Sequence, residues 1–115
     1  MHKLITSLIF FGVAFAAHGT PMPEQTRKGF IKSGGQSCLV KQRQDPMSKY
    51  MTESELSEYC NCTMTRATGF ITLEDLGRVL QTKSSAHLAP VIESAGNYCI
   101  QILIMKWGSE RSRND

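Results

Sequence analysis

An uncharged apolar run from Leu4 to Ala17 opens the chain behind His2 and Lys3, with small side chains at Ala14 and Ala16. This layout predicts a secretory signal peptide over residues 1–16, cleaved after Ala16 with Ala17 or Gly19 as neighbouring choices. The run is too short to span a bilayer as a stable helix, so no stable membrane anchor is expected. Pro21 and Pro23 then predict a flexible lead-in over residues 17–26.

Beyond it the apolar positions take helical spacing. Ile31, Gly35, Cys38 and Gln42 fall near one face, with Phe30 and Leu39 beside them, which predicts a first helix from Arg27 that ends at Asp45-Pro46. The Gly34-Gly35 pair marks either close approach of another helix or a break in this one. Thr52-Glu53-Ser54-Glu55 is a capping box for a second helix, along which Leu56, Tyr59, Cys60, Met64 and Ala67 form a stripe, with Gly69 at its end. Thr72 and Asp75 open a short third helix carrying Leu73, Leu76, Val79 and Leu80. A last helix begins between His87 and Pro90, because proline suits only a first turn, and runs to about Lys106. The predicted fold is all-α: a disulfide-stapled bundle of about four helices over residues 27–107, then a polar tail over 108–115.

The four cysteines, an even number in an exported chain, predict two disulfides. Cys60 and Cys62 lie about 200° apart around one helix, so each needs a partner elsewhere. Antiparallel packing of the first two helices favours Cys38–Cys60 with Cys62–Cys99, and the crossed pairing stays open. A Cys60/Cys62 redox pair or soft-metal site is the competing reading. It lacks further ligands near His87, and Glu53, Glu55 and Glu58 would oppose a reactive thiolate.

Charge narrows the partners. The 115 residues include 13 basic and 10 acidic ones, a net charge of +3 that falls by one if Lys3 leaves with the leader. Nucleic acid is not expected as a partner. A basic series, Arg27, Lys28, Lys32, Lys41, Arg43 and Lys49, is read as a solvated face, with an acidic partner's docking surface as the alternative.

Gly69 to Leu76 resembles the second half of an EF-hand loop, but Met64, Arg66 and Thr68 stand where carboxylates should. No metal and no cofactor are expected. With no nucleophile elbow, and only His18 and His87 as candidate bases in the mature region, no catalytic residues are assigned and no enzyme is predicted.

Cys38, Tyr59-Cys60-Asn61-Cys62, Thr72 to Leu76 and Cys99 together resemble the pattern of small exported bacterial helical proteins of unassigned function. The resemblance implies a periplasmic helical bundle and supplies no activity. The functional expectation is therefore a non-catalytic, periplasmic or secreted protein-binding module, of an inhibitor, immunity or secretion-accessory type, with a thiol-redox or metal-handling protein as alternative. The last helix supplies the candidate face. Tyr98, Cys99, Ile102 and Met105 form one arc suited to a core. Ile100, Ile104 and Trp107 lie across the helix, and the default reading is that the other three helices enclose them. The alternative is a docking face for a second copy or another protein, with Trp107 as its aromatic anchor.

Overall fold

The computed structural model describes residues 19–114, so the expected leader lies outside the described residues. Four α-helices follow in order: α1 (Glu24–Arg43), α2 (Glu53–Thr68), α3 (Leu73–Thr82) and α4 (Ala89–Asn114). Short 3₁₀ turns at Pro46–Tyr50 and Ala86–Leu88 join α1 to α2 and α3 to α4. The fold is all-α, as expected.

Local chemistry starts each element. Both capping boxes form: Glu55 N–H donates to Thr52 Oγ1 while Thr52 N–H donates to the Glu55 carboxylate, and Thr72 and Asp75 repeat the exchange. Asp45 caps the first 3₁₀ turn through Met47 N–H. Pro90 sits in the first turn of α4, where its missing N–H costs nothing. Gly69 closes α2 with right-handed backbone, and it is Lys83 that takes the left-handed conformation, at the end of α3.

α2 is the central element. Cys38 meets Cys60, Gly34 meets Met64 and Arg27 meets Thr68, so α1 runs antiparallel to α2. Cys99 meets Cys62, Trp107 meets Glu58 and Arg111 meets Glu55, so α4 is antiparallel to α2 as well. The two disulfides are Cys38–Cys60 (S–S 2.06 Å) and Cys62–Cys99 (2.13 Å), the favoured pairing. Gly34-Gly35 does not split α1. A Cβ at Gly34 would come 2.7 Å from Met64 Sδ, so the glycine lets α1 lie against α2. One apolar cluster, of Met22, Ala67, Ile71, Leu88 and Ala95, closes the end of the bundle where α3 packs through Leu76 and Val79. A second, of Cys99, Leu103 and Trp107, seals α4 onto α2 with Met51, Tyr59 and Cys62.

Two boundaries differ from expectation. Within the lead-in expected over residues 17–26, of which 17–18 lie outside the described residues, residues 19–23 form a strap packed on the body. Pro21 bridges Thr72, Met22 is buried in the core, and Gly19 takes a left-handed φ of 72° where a Cβ would strike Thr72. Pro23 then sets the backbone for α1, which begins at Glu24 and not Arg27. At the other end, α4 continues helical through Asn114, past the expected stop near Lys106, with Arg111 bonded to Glu55 at 2.5 Å. The continuous helical stretch Ala86–Arg113, the second 3₁₀ turn together with nearly all of α4, is long and apolar enough to cross a membrane by length and composition. α4 buries Ala95, Cys99, Leu103 and Trp107, yet only 28% of its most apolar window is buried, so it is a packed helix with an open side and not an enclosed core helix.

The strap is fastened by Glu74. Its carboxylate accepts Thr20 N–H at 2.9 Å and Thr20 Oγ1–H at 2.8 Å. The backbone hydrogen bond from Thr20, then the hydroxyl one, lower the Glu74 pKa from 4.5 to about 2. A depressed folded-state value means stability that is full above about pH 4.5 and lost as pH falls towards 2. The melting temperature of wild type minus that of Glu74→Gln should accordingly be constant above about pH 5 and shrink towards zero between pH 4.5 and 2. A difference that does not change with pH would show that Glu74 does not hold the strap.

Candidate functional site

The start of α2 carries Glu53, Glu55 and Glu58, and each carboxylate holds another helix. Glu53 accepts from Arg43 at the end of α1, with Arg43 Nε at 2.9 Å. Its pKa is lowered, chiefly by that hydrogen bond. Glu55 receives Arg111 of α4. Glu58 accepts from Lys106 and, at 2.6 Å, from Trp107 Nε1. The Lys106 bond and then the Trp107 bond hold the Glu58 carboxyl below its ordinary range. The acidic first turns therefore act as an anchor for basic helix ends, beyond complementing the helix dipole.

That anchor draws Trp107 inside, as the enclosed reading of its arc requires, and takes it out of the alternative docking face. Trp107 is 6% exposed, packed with Cys99 and Leu103 and bonded to Glu58, so it cannot serve as an aromatic anchor for a partner. Ile100 is half-buried against the same cluster. Of the three predicted residues only Ile104, at 58%, stands open. The arc assigned to the core divides in the same way: Cys99 is buried, while Tyr98, Ile102 and Met105 are exposed. The core direction lies between the two arcs, along Cys99, Leu103 and Trp107. Those residues follow each other at i, i+4 and i+8, so the Cys62–Cys99 bond points all three at α2. The cysteine at position 99 was the signal that could have set the rotation in advance.

The open face is a different set. Tyr98, Ile102 and Met105, at i, i+4 and i+7, form an apolar stripe along α4, with Met105 76% exposed. Phe70, 63% exposed, extends it beyond the end of α2. Arg66 joins the two parts: its guanidinium lies 3.5 Å from the Tyr98 ring centroid and 5.7 Å from that of Phe70. Cation–π contact at both rings holds them in place at an exposed site. A cleft of about 310 Å³ lined by Arg66, Phe70, Pro90, Val91 and Ser94 continues the same face.

The cysteine chemistry is equally concrete. Cys60 and Cys62 leave opposite sides of α2 and each bonds a different helix, so neither carries a thiol in this oxidised fold. Among the described residues no three His, Cys, Asp or Glu side chains converge on a point. At the half EF-hand, Met64 and Thr68 are buried, Arg66 stacks on Tyr98, and Thr72 and Asp75 are committed to capping. No family model, curated protein or solved structure matches the chain.

Substitutions separate the buried edge of α4 from the open one. Trp107→Ala should cost about 3–5 kcal/mol, as truncation of a buried aromatic does. Ile104→Asp, at an exposed position, should stay within about 0.5 kcal/mol of wild type. Denaturant titration followed by circular dichroism reads both, and equal costs would contradict this orientation of α4.

Proposed function

We propose that the chain is a non-catalytic protein-binding module of an oxidising compartment, periplasmic or secreted, and that it docks its partner on the face formed by Phe70, Tyr98, Ile102 and Met105. The carrying observation is that a helix locked in rotation by a disulfide still leaves an aromatic and aliphatic stripe uncovered. Contiguous exposed apolar surface of this kind marks interaction sites. The i, i+4, i+7 spacing suits a partner helix laid along α4. Two disulfides support an oxidising environment, and the leader-like run ending near Ala16 supports export. The partner is a second copy or another exported protein.

The paired change Ile102→Glu, Met105→Glu puts two charges on the stripe without entering the core. The variant should keep its helical circular dichroism and melt within a few degrees of wild type. Cross-linking in the native host, read by mass spectrometry, should lose the complexes that the wild-type chain forms. Undiminished complexes from the folded variant would remove this face from consideration.

A further inference from the structure

Both α1 and α4 lie antiparallel on α2 and pack on it in preference to each other, so they run parallel with a gap between them. The gap is a cleft of about 590 Å³, within the range of about 300–1,000 Å³ that small-ligand sites occupy. Its floor is Tyr59, Thr63 and Met64 of α2. Phe30, Ser33, Ser37 and Lys41 line the α1 wall, and Leu88, Ile92 and Glu93 the opposite one. This is a different side of α4 from the Tyr98 stripe.

Three observations define an occupant. Thr63 is 3% exposed, and its hydroxyl has no hydrogen-bond partner among the described residues. A buried hydroxyl left unpaired costs stability, and a ligand amide or carboxylate that parts the side chains covering it at the floor would satisfy it. The walls around it are mixed, with Phe30, Leu88 and Ile92 for apolar groups and Ser33 and Ser37 for hydrogen bonds. At the lips stand two opposite charges, the Lys41 ammonium and the Glu93 carboxylate, and among the described residues neither joins an ion pair. Register places them diagonally. With Cys38 against Cys60 and Gly34 against Met64, Lys41 lies beside the early part of α2. With Cys99 against Cys62 and Ala95 packed with Ala67, Glu93 lies beside the end of α2. Lys41 is thus level with about position 57 of α2 and Glu93 with about position 68, an axial offset of roughly 16 Å at 1.5 Å per helical residue.

We propose that this cleft binds a short apolar peptide of four or five residues with free ends, its ammonium towards Glu93 and its carboxylate towards Lys41. An extended peptide advances about 3.3–3.6 Å per residue, so four or five residues cover the offset between the charges. Its amides meet Ser33, Ser37 and the Thr63 hydroxyl, and its side chains rest on Phe30, Met64 and Ile92.

Isothermal titration of the oxidised protein with pentaalanine tests this. Binding should be saturable with a dissociation constant below about 1 mM. N-acetylation and C-amidation of the peptide should each weaken it at least about fivefold, the scale of one charge-assisted contact. Glu93→Gln should abolish the effect of acetylation and Lys41→Gln that of amidation. Ser37→Trp, at an exposed position, should fill the cleft and remove binding while leaving the melting temperature near wild type. Thr63→Val should weaken binding without lowering the melting temperature, because it removes an unpaired buried hydroxyl. No saturable binding to the folded wild-type protein overturns the proposal. So does binding that survives Ser37→Trp, or binding indifferent to the peptide's ends and to both charge variants.

Discussion

Everything in this fold hangs on two sulfur atoms that leave one helix in opposite directions. Cys60 and Cys62 are two residues apart, so helical geometry sends their side chains to different sides of α2. Each side then receives one helix, and α2 becomes the axis on which both neighbours are mounted. The dependence is plainest for α1, which has no fully buried residue of its own. It touches the body through half-buried positions, a glycine seated on Met64 and the bond to Cys60. Loops of 22 and 37 residues are closed by the bridges. Closure of this size contributes roughly 3 kcal/mol each in the chain-entropy account. In a domain whose net stability is about 5–15 kcal/mol, that is a large share.

What could be read from the sequence was the local chemistry. Thr52 with Glu55 and Thr72 with Asp75 each complete a hydrogen-bonded box within four residues, so three-dimensional context adds nothing to them. The opposite facing of Cys60 and Cys62 likewise follows from helix pitch alone. What escaped the sequence was settled at long range. The prolines at 21 and 23 suggest a loose lead-in, yet Thr20 is held by Glu74, 54 residues away, and Met22 fills a core built by Ile71, Leu88 and Ala95. Nothing local to residues 19–23 announces those partners. The extension of α4 past Lys106 is a similar case, since Arg111 gains its carboxylate from Glu55, 56 residues earlier.

The face of α4 failed for a different reason. Periodicity divides a helix into arcs but does not say which arc turns inward, and α4 is apolar on most sides between Tyr98 and Trp107. A direction comes only from a contact of known partner. Cys99 supplies one, and from it Leu103 and Trp107 follow by adding four residues twice. The tryptophan that looks most like an interaction residue is thereby drawn inside, its indole N–H claimed by Glu58, while Tyr98 and Met105 are turned out.

Arranged along α2, the forces are not evenly mixed. One end is closed by hydrocarbon: Met22, Ala67, Ile71, Leu88 and Ala95. The middle is covalent. At the other end Arg43 and Arg111 converge on Glu53 and Glu55 in ion pairs, the first exposed on both sides and the second with its arginine exposed and its carboxylate largely covered. Dissolved salt weakens such pairs and leaves apolar contact intact, with a screening length of about 8 Å at physiological ionic strength. The bundle is therefore polarised in its sensitivity to the medium. Brine loosens the tip where α1 and α4 finish, the covalent waist keeps that loosening from travelling, and the hydrocarbon end keeps its shape.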